Sequence, residues 1–125
     1  MSLIDEQLIT LQAEFPGASI TPSGGGSHVV TLPNVTLPEG WNLPKTIIKF
    51  VVLANYPHGA PDCFWVEPNL RLKNGSSPKN TNIQIIPGTS DNWLWFSWHT
   101  SRWSPNRDTL YTYAKVIETR LKVVE

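Results

Sequence analysis

The links between the β-branched runs in the middle of the chain constrain its fold most. Runs at Ala18–Thr21, His28–Leu32, Lys45–Leu53 and Cys63–Val66 are joined by stretches holding Ser23-Gly24-Gly25-Gly26, Pro33, Pro38 and Pro44. These links are too short for the helical crossover that a parallel pair requires, so the runs predict an antiparallel meander of four strands. Proline belongs between strands because it has no N–H for a ladder. The glycine triplet lacks the trailing Lys-Ser/Thr of a phosphate loop and opens no helix, so it reads as a hairpin turn.

Amphipathic stripes bracket the meander. Ile4, Leu8, Leu11 and Phe15 recur at steps of four, three and four, which predicts a helix over 3–15 capped by Ser2 with Asp5 and ended by Pro16-Gly17. Leu110, Tyr113, Ala114, Ile117, Leu121 and Val124 predict a second helix over 108–124, with Ser104 or Asn106 as its cap and Pro105 in its first turn. Between the meander and that helix lies 69–92, rich in Lys, Asn, Gly, Ser and Thr with an apolar island at Ile83, Ile85 and Ile86. It reads as a long mobile loop and a docking place for a partner. The aromatic run that follows alternates. Leu94, Phe96 and Trp98 face the core, while Trp93, Trp95, Ser97 and His99 face away. The class is α+β, in one domain spanning 1–125.

Charge narrows the function. Ten basic residues balance ten acidic ones and charged residues make up 16%, so no cationic field is available for nucleic acid or an anionic membrane. No apolar run approaches the ~18 to 20 residues of a membrane span, and acidic residues follow Met1 where a signal peptide carries basic ones. A cytoplasmic location is the expectation. One cysteine forms no internal disulfide. Cys63, His28, His58 and His99 are scattered without ligand spacing, so neither a metal nor a cofactor is expected.

Three side chains are candidates for chemistry. Ser97 and His99, two apart on an extended strand, share a face and offer a nucleophile and a base, with Asp91 or Asp108 to orient the imidazole. The structural alternative is that His99 hydrogen-bonds backbone near the second helix and orders the loop. Cys63 offers the only thiol; with no cationic neighbour in sequence it also reads as a small buried hydrophobe.

The order of the motifs resembles the ubiquitin-conjugating enzyme superfamily. Tyr56-Pro57, Ala60-Pro61, Phe64, Pro68-Asn69 and Trp103-Ser104-Pro105 occur in that family's sequence order over residues 3–124. Pro61–Phe64, Trp95–His99 and Trp103–Asp108 resemble runs of a prokaryotic branch. The resemblance implies a role in a bacterial ubiquitin-like conjugation pathway, with a ubiquitin-like modifier, a ThiF-like activating enzyme and a JAB-type peptidase as partners. The family's thioester cysteine lies eight residues before the Trp-Ser-Pro tryptophan, and here that position is Trp95. Of the family's His-Pro-Asn motif, Glu67-Pro68-Asn69 keeps two letters. The expectations are an adaptor, or a transferase working through Ser97 with His99 or through Cys63. The alternative is an RWD-like interaction module with no part in modifier transfer.

Overall fold

The computed structural model describes residues 2–100 and 102–125. Two helices, α1 (Leu3–Glu14) and α2 (Leu110–Lys122), accompany six strands: β1 (Ser19–Gly24), β2 (Ser27–Thr36), β3 (Lys45–Val52), β4 (Phe64–Val66), β5 (Thr81–Ile85) and β6 (Asn92–Phe96). All pairings are antiparallel in the order β1-β2-β3-β4-β6-β5. The α+β class and the N-terminal meander follow the sequence reading, but the expected four strands become six. The aromatic run is itself a strand against β4, and the Ile83–Ile85 island pairs back onto it as β5. That island alternates Ile with Asn and Gln, and its strand character comes from its partner rather than from its own composition. Leu70 and Ile86 within 69–92 are fully buried, so the segment is tied down at several points rather than loose.

Pro33 also departs from expectation. It lies inside β2, where the register with β3 shifts between Leu32 and Val35, so the residue without an N–H sits at the irregularity. Helix α1 starts as read, the Ser2 side chain accepting from the Asp5 N–H. Helix α2 starts later than read. Thr109 is its cap, in a reciprocal box with Thr112, while Ser104–Asp108 forms a separate turn in which the Asp108 carboxylate accepts the Ser104 N–H.

Both helices cover one sheet face. Leu11 and Phe15 of α1 and Leu110, Tyr113, Ile117 and Leu121 of α2 meet Val30, Ile48, Phe50, Phe64 and Phe96 from the strands. The opposite face carries a smaller cluster of Val29, Val51, Trp65 and Ile86, with Trp93 and Trp95 half-buried against it. The alternation read from the aromatic run therefore holds for Trp93–Phe96 and for Trp98, while Ser97 and His99 lie beyond the end of the strand. Trp41 anchors the far end of α2, its indole N–H donating to the Leu121 carbonyl at 2.9 Å. No described helix is long and apolar enough to cross a membrane.

Candidate functional site

The ends of β4 and β6 bring the candidates together. Phe64 pairs with Phe96 and Trp65 with Trp95, and the two phenylalanine rings stack with centroids 4.7 Å apart. Beyond that pair the Cys63 N–H donates to the Trp98 carbonyl at 2.9 Å, which extends the contact by one more bond. Asp62 and Cys63 thus leave one strand beside the point where Trp98 and His99 leave the other. The Cys63 carbonyl accepts the Tyr113 hydroxyl of α2 at 3.0 Å, and the Cys63 backbone is left-handed, with φ +61°. A non-glycine residue holds that conformation only where its surroundings over-determine it.

His99 is exposed, and its Nδ1 pairs with the Asp62 carboxylate. The carboxylate beside His99 is therefore not one of the two that the sequence offers. Among the described residues the His99 ring makes no hydrogen bond to backbone, and neither Asp91 nor Asp108 pairs with it. Asp108 is committed to the Ser104 N–H, and Asp91 sits in the turn between β5 and β6, its carbonyl accepting from Ile86. The orienting carboxylate is 37 residues away in the chain. With Nδ1 engaged, Nε2 is the nitrogen left to exchange a proton.

Ser97 and His99 line one open cleft of about 320 Å³ together with Asn80 and Trp98. The Ser97 N–H donates to the Asn80 carbonyl at 2.8 Å, and Asn80 is left-handed at φ +62°. Two further clefts share the Trp98 side chain. One, of about 310 Å³, runs past His99 and Thr100 to Val116 and Thr119 of α2. The other, of about 190 Å³, is lined by Lys79, Asn80 and Arg120. Arg120 fixes the wall of that recess: it is 3% exposed, donates to the Lys79, Val123 and Glu125 carbonyls, and lies 5.4 Å over the Trp98 ring. Burial lowers its pKa, though a guanidinium keeps its charge.

Cys63 is 7% exposed. Burial pushes its thiol pKa up and the Asp62 charge adds to this; hydrogen bonds from the Trp98 backbone and the Trp95 side chain oppose them. The resting group is a protonated thiol, a weak nucleophile. The sequence places Cys63 in the strand run, whereas it sits just before β4, as part of the Asp62–His99 cluster.

Trp95 lies within β6 opposite Trp65, half-buried on the face away from the helices. Asn69 is not at the cleft; its carbonyl accepts the Asn42 side-chain amide. The Tyr-Pro and Trp-Ser-Pro motifs do meet: the Trp103 indole donates to the Pro57 carbonyl at 2.7 Å, and its ring lies 6.0 Å from that of Tyr56. Tyr56 in turn donates to Gln7, whose Oε1 also accepts the Leu110 N–H, so the two motifs lock α1 to the start of α2. Two residues at the site escaped the sequence reading. Asp62 had a signal, its place beside Cys63 in the Pro61–Phe64 run; Asn80, in a polar stretch, had none.

The expectation of no metal site rested on scattered spacing, and folding removes that objection. Ligand atoms of Asp62, Cys63 and His99 all lie within 4.8 Å of one another. A family model described as Prokaryotic E2 family E matches residues 9–124. No curated protein and no solved structure matches the chain.

Proposed function

The chain belongs to the prokaryotic E2 family E, and from that premise we propose that it accepts a ubiquitin-like modifier as an ester on Ser97 rather than as a thioester. A ThiF-like activating enzyme is the donor in this reading, and a JAB-type peptidase the enzyme that removes the modifier. The observation that carries it is the cleft in which Ser97 and His99 stand together while Asp62 holds His99 by Nδ1. A nucleophile, a base and a carboxylate that orients the base are the parts acyl transfer uses. Ser97 Oγ attacks the modifier's C-terminal carbonyl, His99 takes the hydroxyl proton, and the C–S bond to the activating enzyme breaks. The departing thiolate is protonated from His99, which returns the imidazole to its starting state. Asn80, on the same cleft, offers an amide donor for the oxyanion. The clefts around Trp98 offer room for an extended tail leading to Ser97.

Two features weigh against Cys63 as the acceptor: burial and the protonated thiol. In the resemblance to ubiquitin-conjugating enzymes the thioester cysteine corresponds to the position eight residues before Trp103, which is Trp95 here. That same feature favours a second reading, an adaptor that binds modifier or activating enzyme without bonding to it.

The test is incubation with activating enzyme, ATP and modifier, followed by intact-mass measurement. Wild type and Cys63→Ala are expected to gain one modifier, Ser97→Ala none, and His99→Gln to gain it at least about 100-fold more slowly, the usual scale for losing a general base. Loss of the adduct in folded Cys63→Ala but not in Ser97→Ala assigns the thiol instead. No adduct on any variant favours the adaptor.

A further inference from the structure

We propose that Asp62, Cys63 and His99 form a three-ligand site for Zn²⁺ or a similar divalent transition ion, with the fourth position open to solvent. The donors are a thiol sulfur, an imidazole nitrogen and a carboxylate oxygen, a set of the kind that zinc takes. They lie within 4.8 Å of one another, whereas a tetrahedron with Zn–S of ~2.3 Å and Zn–N or Zn–O of ~2.0 Å spaces its ligand atoms by about 3.3 to 3.7 Å. Closure therefore requires side-chain shifts of roughly 1 Å, within reach of the exposed Asp62 and His99 side chains.

The frame beneath these side chains is fixed. The Cys63 N–H is bonded to Trp98 and its carbonyl to Tyr113, so the sulfur is presented by backbone that is held on both sides. Phe64 stacked on Phe96 joins the two segments one residue further in. A site that bridges the ends of two strands already paired needs little ordering on binding, which favours affinity. Asp62 and His99 are the exposed partners, so the ion has an entry path and a place for a water or an added ligand.

The metal site stands independently of the Ser97 chemistry but shares Asp62 and His99 with it. An ion bound by Asp62 and His99 takes both out of the proton relay, so metal occupancy and acyl transfer exclude each other. In chemical terms the cluster is then a metal-controlled brake on the neighbouring cleft.

Cobalt(II) titration of the metal-free protein reads the site directly, because sulfur ligation gives an intense charge-transfer absorption and tetrahedral geometry gives strong visible bands. Wild type is expected to bind one equivalent with both signatures, to release about one proton from the thiol, and to lose the spectrum when Zn²⁺ displaces Co²⁺. His99→Gln and Asp62→Asn, at exposed positions that leave the fold intact, are expected to weaken binding at least about tenfold. Cys63→Ser removes the charge-transfer band, and Ser97→Ala keeps the whole spectrum, which separates this site from the proposed acceptor. A folded wild-type protein with no sulfur-to-cobalt band overturns the inference. So does binding that His99→Gln and Asp62→Asn leave unchanged.

Discussion

At the residue scale, Cys63 decides between two chemistries. Its thiol is pushed up from an ordinary value of 9.0, first by burial and then by the Asp62 charge. A group raised in this way favours the native state fully below pH 9 and loses that contribution as pH climbs through its folded value. In chelator, stability is expected to decline above pH 9, and Cys63→Ala is expected to flatten the decline. Denaturant melts from pH 7 to 10.5 measure it. Iodoacetamide at pH 8 is expected to label native Cys63 more slowly than the unfolded chain; equal rates would mean an accessible thiolate and would restore Cys63 as an acceptor. The sequence showed the cysteine without its setting, since Asp62 is adjacent while His99 arrives from 36 positions away. Neighbours in sequence were legible and neighbours in space were not.

At the element scale the two helix starts contrast. Ser2 was recognisable as a cap because Asp5 follows at the required spacing and an apolar stripe begins at once. At α2 the sequence offers Ser104 or Asn106 as the cap, with Pro105 at a first helical position, and neither is the cap that forms. The structure uses Asp108 to cap a turn and starts the helix at Leu110. Thr109→Ala is therefore expected to cost about 1 kcal/mol of stability, the usual worth of an N-cap side chain. Ser104→Ala is expected to cost little, since the turn bonds run through the Ser104 N–H and carbonyl rather than its hydroxyl. Equal losses in thermal melts would mean the turn and the helix share one cap. Strand β5 was missed for a related reason. Thr81-Asn-Ile-Gln-Ile85 carries half the apolar residues of a core strand, with Ile83 46% and Ile85 52% exposed at the sheet margin, and only pairing with β6 makes it a strand.

At the scale of the whole molecule, the core and its facing were largely written in the sequence. The heptad-like stripes and the alternation through Leu94 and Phe96 mark the residues that close the helix-covered face. The site was written only in part. Ser97 and His99 were legible as a pair because a strand repeats every two residues, but Asp62 and Asn80 enter through the end-to-end meeting of β4 with β6 and of β5 with β6. Local patterns report which side chains share a face, whereas a site built where three strands end depends on register. The proposed ester on Ser97 rests on that meeting, and the chemistry of the trapped adduct tests it most directly. Wild-type protein charged with modifier by the activating enzyme and ATP is divided between excess thiol at neutral pH and hydroxylamine at alkaline pH, and the surviving adduct is mapped by fragmentation. The expected adduct sits at Ser97, survives the thiol and is released by alkaline hydroxylamine. An adduct that thiol discharges and that maps to Cys63 would contradict the proposed ester.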